Sequence, residues 1–485
     1  MPSQINVTAN SYPDIRKEIV KFVEQNKSKY PILSQYPNTI SNQLIDMLSA
    51  AVTFNNYKYE KNRQETYIST AKLASSIYER AKELSYNIHR KSCPIVRFTV
   101  TKDINLFMGQ VVGTLQSKGV NYDIVYFGVD KYYKEGSIVD MCIGKYKEYN
   151  LSVNEKDYKK SITFTINPTI DGWQIDNLHM ILLINNKLYD ITKIMEDYMI
   201  KEVATEMTTK EGGVEVWIGE HNDKVKYGIP INFNDQIKLC YMETYGKDSN
   251  IFNIVKNNQL SIVNNINIHL AEPVLIFEGY NEDELSKITR LSRLLYMTAK
   301  RAVTLRDHEI IANNFPLIHD SYAINDITRC CTIILYYIKE GSKDIPLVFS
   351  DYEVQMFEDY FADYTVGPDI DLYPATCRVL EFTFNLFLKR GVRPRDDYSG
   401  EFEYNLSREV EQICQKKNLK LGVQFTIGEL LADIYKIYEF EDGYVIDSNN
   451  FNEILPSTVV KCDKAEYVYI KPKVKIIAEN SRDRV

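Results

Sequence analysis

At Cys93-Pro94 the apolar period of this sequence changes, and that change constrains the fold more than any other feature. Upstream, Leu44, Leu48, Val52 and the run Asn55 to Tyr59 recur at helical spacing, and Ile68, Ala71, Ser75 and Tyr78 form a second stripe. Downstream, Ile95-Val96-Arg97-Phe98-Thr99-Val100 alternates as a half-buried strand does. One segment cannot serve both periods, so helices end and sheet begins near residue 92. Pro31, Pro37 and Asn38 break what comes before, which leaves two consecutive helices between Asn42 and Leu84. The small residues Ala71, Ala74, Ser75 and Ala81 permit close helix approach.

From residue 95 to about 270, short β-branched and aromatic runs are punctuated by Gly, Asn and Asp: Tyr122 to Val129, Ile162 to Ile166, Met180 to Ile184, Val214 to Ile218 and Gln236 to Met242. The Asn-rich stretch Asn250 to Asn267 reads as an edge or connecting segment. Helical signals return where Asn281 and Glu284 have capping spacing ahead of Leu285, Ile288, Ser292, Leu295 and Ala299. Thr304 and Asp307 repeat that spacing, as do Ser350 and Glu353. Strand-like Thr328 to Ile338 and Arg378 to Leu388 flank the Ser350 helix. Helices over Glu401 to Gln415 and Thr426 to Tyr438 and a strand from Gly443 to Asp447 follow, the order of one small sheet with helices on one face.

The expected class is therefore α+β multidomain: an N-terminal helical bundle element (1–92), a mostly β middle domain (93–275), a helical connector (276–324), a C-terminal α/β sandwich (325–450) and an extension (451–485). A length of 485 residues suits about three domains. With 44% hydrophobic and 26% charged residues the chain can bury sizeable cores.

No run reaches the ~18 apolar residues of a membrane span, and the first residues lack a basic-then-apolar leader, so no membrane partner is expected. Net charge −8 opposes a phosphate backbone, and the basic cluster from Lys461 to Lys475 is modest, so no nucleic acid is expected. The eight cysteines include no C-x-x-C pair and are expected reduced and buried. The 36 tyrosines suit protein interfaces, or equally a biased composition.

Three segments, in order, carry a resemblance. They are residues 42–100, with the two helices and the Pro-led strand; residues 282–324, with the turn Arg301-Ala302-Val303-Thr304; and residues 421–447, a helix leading into a last strand. Together they resemble the baseplate J-like family of contractile phage tails over roughly residues 40 to 450. Ser85-Tyr86 stands where the family has Gly-Tyr. The resemblance implies a baseplate wedge protein of the virion tail, made in the host cytoplasm and not an enzyme. Its helical part would bundle with neighbours, and its C-terminal domain would help close a ring around the central hub. Partners would be other baseplate and tail proteins and copies of itself, as a dimer or ring. Expected interface residues are Leu44, Leu48, Val52, Tyr59, Ile68, Ala71 and Tyr78 in the helices, and Phe382, Phe384 and Phe387 on the strand Arg378 to Leu388.

Chemistry competes poorly with that reading. His308-Glu309 begins a zinc-protease motif, but Ala312 stands where the second histidine must be, so a surface His in a helix start is expected. Asp176, His179, Glu220 and His221 could form a metal or acid–base group, although solvated turns explain them. Asp369 and Asp371 lie between Pro368 and Pro374, suggesting a loop before a glycosidase pair. Cys330-Cys331 opens an apolar strand without a basic activator, so burial is expected. Phosphate-binding glycine motifs are absent. Neither catalytic residues nor a cofactor nor a metal is expected. A tail-associated hydrolase and a portal-type connector remain the alternative readings.

Overall fold

The computed structural model describes residues 12–25, 40–84, 86–117, 120–154, 162–193, 195–221, 226–250, 270–329, 331–365, 368–388, 401–437, 440–449 and 452–476. The chain is mixed α+β and forms two compact units, one of Met1–Ser85 with Leu285–Arg290, the other of Tyr86–Glu284 with Leu291–Val485.

The first unit contains α1 (Tyr12–Gln25), α2 (Ile40–Glu65) and α3 (Ala74–Glu83). The two expected helices are α2 and α3; α1 was not anticipated. It is fastened to α2 by Arg16, whose Nε donates to Asp46 Oδ1 at 2.6 Å and whose Nη2 donates to Asn42 Oδ1 at 2.7 Å, with Ile15 and Ile45 buried. Ile68 and Ala71 precede α3 instead of lying on it. Glu65 organises this turn by accepting from the Lys72 and Leu73 backbone N–H groups. A helical run would have those N–H groups pointing at carbonyls four residues back, so the side chain ends α2 and lets α3 start afresh.

In the second unit, one large antiparallel sheet contains β1 (Ile95–Val100), β3 (Gln110–Ser117), β4 (Val120–Tyr126), β6 (Ile138–Ser152), β8 (Gln174–Ile184), β9 (Lys187–Tyr189), β14 (Gln236–Thr244) and β15 (Leu270–Phe277). Its order is β15-β1-β6-β14-β8-β9, with β4 also on β6 and β3 on β4. A ribbon of β2 (Ile104–Leu106) and β5 (Lys131–Tyr133) lies beside it. A second sheet contains β7 (Ile162–Ile166), β10 (Ile191–Thr192), β11 (Ala204–Thr208), β12 (Val214–His221) and β13 (Lys226–Gly228), with α4 (Met195–Ile200) nearby. Ile175, Leu182, Ile184, Ile237 and Leu239 of the large sheet pack against Phe164, Val214, Val216 and Ile218 of the second.

The 15-residue β6 serves three neighbours: on one edge β1 through Ile138–Cys142, on the other β4 through Cys142–Gly144, and β14 through Lys145–Ser152. The pairings with β1 and β14 fall on different stretches of the strand. Between the two stretches, a Cβ on Gly144 would lie 2.7 Å from the Glu243 carbonyl oxygen and 2.8 Å from Cys93 Sγ. Only glycine allows that approach. The stretch Asn250 to Asn267 lies, beyond Asn250, outside the described residues.

Next come α5 (Leu285–Met297) and α6 (Leu305–Asn314), then β16 (Ile318–Asn325), β17 (Thr332–Lys339), α7 (Asp351–Ala362) and β18 (Asp369–Pro374). Both capping boxes at Thr304/Asp307 and Ser350/Glu353 are present. The Asn281 cap is not: α5 begins four residues later behind Glu284, with no side-chain cap bond. The expected connector also includes β16, which pairs with β17.

The expected single C-terminal sheet is two. β16, β17 and β18 form a three-stranded sheet. The other sheet contains β19 (Thr376–Leu388), β21 (Phe440–Asp447), β22 (Glu453–Ile454) and β24 (Glu466–Ile476), ordered β22-β21-β19-β24. Helices α8 (Glu401–Lys417) and α9 (Ile427–Ile434) cover one face, and β20 (Gln424–Thr426) pairs with β23 (Val459–Lys461). The two strands expected to neighbour each other, near 328–338 and 378–388, thus lie in different sheets, and the first begins only at Thr332. The boundary drawn at residue 450 also fails, because β24 runs parallel to β19 over eleven residue pairs. Residues beyond 450 supply a structural strand, not a separate extension.

Candidate functional site

Two places in the molecule bear on function. The first is the surface of α2. Leu44, Leu48, Val52 and Tyr59 are all exposed, between 40% and 62% of their full area. They are not a core stripe, because the α1-facing positions are Asn42, Ile45 and Asp46. Ile40, Leu44, Met47, Ala51 and Phe54 recur at steps of four and three and are likewise exposed, so they form a short seam of coiled-coil period. Lys58 Nζ sits 4.5 Å above the Phe54 ring at the next position. Ile68 and Tyr78 are buried and Ala71 is half-buried, so these three belong to packing within the chain.

The C-terminal residues part in the same way. Phe382 and Phe384 are buried in the core between β19, α8 and α9, with Leu406, Val410 and Leu430, and cannot form an exposed patch. Phe387 points to the opposite face of β19, half-buried, its ring 6.1 Å from that of Tyr444.

The second place is a buried polar centre that sequence reasoning dispersed. Residues 86–93 thread between the two middle sheets, and Arg90 is 1% exposed. Its Nε donates to the Ile175 carbonyl at 3.0 Å, Nη1 to Thr208 Oγ1 at 3.0 Å and Nη2 to Glu206 Oε2 at 2.9 Å. Lys193 Nζ lies 3.4 Å from Glu206 Oε1 and donates to Asn177 Oδ1 at 2.7 Å. Burial lowers the Lys193 pKa to about 8, with Arg90 adding and Glu206 opposing. Residues 86–92 are therefore part of the second unit's interior, and the helical region ends before them.

Asp176 is fully buried, not a solvated turn residue. It accepts from the backbone N–H of Cys93 and of His179, both at 2.7 Å, and from His179 Nδ1 at 2.6 Å. Burial opposes its charge, but the His179 imidazole and these donors hold its pKa below the usual carboxylate range. For His179 burial again opposes, while Cys142 and Asp176 hold the imidazole well above its ordinary pKa. Burial, with Asp176 and Cys142, pushes the Cys93 thiol up. Glu220 is on β12, in the other sheet, and the side chain of His221 lies outside the described residues. Asp176 and His179 come together where the register of β8 with β14 shifts between Ile175 and Met180, an irregularity that sequence spacing does not announce.

The remaining candidates are structural. His308 is buried, not on the surface; its Nδ1 contacts the Thr304 carbonyl at 2.7 Å and its ring stacks on Phe361. Asp369 and Asp371 lie on strand β18, not in a loop, and Asp371 pairs with Arg329. Cys331 is exposed with φ +63° ahead of β17, contrary to the expected burial; Cys330 lies outside the described residues. Among the described residues no group of three or more His, Cys, Asp or Glu is arranged to hold a metal, and no helix is long and apolar enough to cross a membrane.

No family profile matches the chain, and no curated protein matches it. Among solved structures it is similar to a chain of the cryo-EM structure of the anti-feeding prophage (AFP) baseplate, 6-fold symmetrised. The two share 10% identity over 93% of this chain and 90% of that one, with a TM-score of 0.31. A likeness at that level carries no functional argument, which rests on the residues.

Proposed function

We propose that this chain is a non-enzymatic structural subunit of a contractile-tail baseplate, a wedge protein that assembles with other tail proteins and with copies of itself around a central hub, linking baseplate to tail. The observation that carries this reading is the seam Ile40, Leu44, Met47, Ala51 and Phe54, exposed on a helix whose other face is already held by α1. An apolar 3.5-residue period on a helix is matched by another helix, because knobs at that spacing fill holes on a partner of the same kind. The ordered resemblance of residues 42–100, 282–324 and 421–447 to baseplate J-like proteins supports it. In this reading the chain needs no cofactor and binds neither nucleic acid nor membrane.

The test is the full chain with Leu44→Glu and Met47→Glu, supplied in place of the native chain during particle assembly. Its recovery in purified tails should fall at least about tenfold, since two charges in a helix seam cost several kcal/mol, while its melting temperature stays within a few degrees. Normal incorporation would show that α2 is not the assembly surface.

A further inference from the structure

The last turn of α5, the residues after it and the start of α6 form an elbow whose charge is opposite to that of the whole chain. Between Leu291 and Arg306 stand four basic residues and no acidic one, in a chain of net charge −8. Arg293, Arg301 and Arg306 are exposed, and among the described residues none of the three is in an ion pair. Beside them Tyr296, Met297 and Val303 are 63%, 77% and 78% exposed. Arginine, tyrosine and methionine are enriched where proteins meet, and a guanidinium can take a carboxylate through two parallel hydrogen bonds. Helix α7 has the opposite character: Asp351–Ala362 holds four acidic residues and no basic one. Of these, Glu353 is buried against Lys339, whereas Asp351, Glu358 and Asp359 are exposed at spacings that put them on one side of the helix. The Ala302 N–H donates to the Tyr364 carbonyl at 2.9 Å, so the elbow meets the chain just past the C-terminal end of α7, and the acidic side runs back from there over about 18 Å.

We propose that the elbow and α7 are the two halves of a contact between copies of this chain, the elbow of each copy seated on the α7 of the other. Regions of opposite charge that adjoin on one chain become complementary under a two-fold rotation, so the contact forms twice and closes. Arginines of one copy then face carboxylates of the second, and Tyr296, Met297 and Val303 leave water at the join. A nucleic acid or an anionic membrane is disfavoured as the occupant, because the acidic side of α7 next to the elbow repels both. The inference rests on the reading that copies of the chain assemble with one another, but it uses no residue of the α2 seam.

Sedimentation velocity of the full chain carrying Leu44→Glu and Met47→Glu, in which the α2 seam is silenced, measures this contact alone. A monomer–dimer equilibrium is expected. Its Kd should rise at least about tenfold when salt goes from ~0.05 M to ~0.5 M, because the screening length shortens to roughly a third. In that background Arg301→Glu with Arg306→Glu should abolish the dimer, and so should Glu358→Lys with Asp359→Lys. Mixed in equal amounts, the two charge-reversed chains should dimerise with a Kd within about tenfold of the unreversed one, since each offers the charge the other lacks. Only folded chains can restore each other, so the mixture also reports on their folds. A monomer at every concentration in low salt, a Kd indifferent to salt, or reversed chains that dimerise alone or fail together would overturn the proposal. Where a reversed chain does not fold, the salt dependence decides. None of these results bears on the α2 seam, which is judged by recovery in tails.

Discussion

Arg90 and Glu206 are 116 residues apart in sequence and 2.9 Å apart in space, with both side chains at least nine-tenths buried. Breaking a buried pair by removing one partner costs about 3–5 kcal/mol, of which Lys193, 3.4 Å from Glu206 Oε1, offsets a part. Arg90→Met should therefore lower the midpoint of denaturant unfolding of the second unit more than any truncation on α2. Equal midpoints for Arg90→Met and Leu48→Ala would show that residues 86–93 do not anchor the second unit's interior.

Lys193 gives this buried polar centre a pH dependence of defined sign. Its folded pKa is lowered to about 8, below the unfolded value of roughly 10.4, so between them the unfolded chain binds more protons. Stability contributed by this group should rise as pH increases from about 8 toward 10, and the unfavourable contribution should be fully present below 8. Lys193→Met should flatten the difference in melting temperature between pH 7.5 and 9.5; an unchanged difference would remove Lys193 as its source.

In the turn after α5, Ala299 and Lys300 have φ of +49° and +56°, consecutive left-handed residues that are not glycine. That conformation costs an L side chain roughly 1 kcal/mol, which glycine avoids by lacking a Cβ, although its greater loss of conformational entropy on folding takes back part of the gain. Ala299→Gly and Lys300→Gly should each raise stability by a few tenths to about 1 kcal/mol, and Lys300→Val should lower it. The comparison needs only thermal melts of three variants.

Ser350 accepts from the Glu353 N–H, Glu353 accepts from the Ser350 N–H at 2.8 Å, and the same carboxylate holds Lys339 at 2.6 Å. Ser350→Ala should cost about 1 kcal/mol, whereas Glu353→Ala should cost more because it also strands a lysine. Similar losses would mean that the ion pair with Lys339 contributes little.

These sites also show what the sequence could reveal. The capping pairs Thr304/Asp307 and Ser350/Glu353 were legible because cap and partner are three residues apart and the physics is local. β1, β7 and the start of β12 were legible from alternation. β6 was not, because Gly144 and the polar residues Lys145, Lys147, Glu148 and Asn150 hide a strand that changes neighbours midway. Leu44 and Leu48 were expected at an interface through the resemblance alone, since a helical stripe looks the same whether it faces a core or a partner; only the fold leaves them exposed.

Phe384→Asp illustrates the same limit. On sequence grounds the substitution would disperse a ring; with Phe384 fully buried among α8, α9 and β19 it should instead unfold that sheet. An unpaired charge there costs several kcal/mol, so circular dichroism of the variant should lose a cooperative transition, and a native-like melt would contradict the core assignment.

The parallel pairing of β24 with β19 also sets a schedule for synthesis. About 80 residues separate the end of β19 from the start of β24, and at ~5–20 residues per second translation takes roughly 4–16 s to supply them. Throughout that interval a nascent chain presents one edge of β19 with no strand on it, beside Phe382, Phe384 and Leu386. Such an edge is a template for a neighbouring chain on the same message, so crowded polysomes, rather than the finished protein, are where this subunit is most exposed to aggregation.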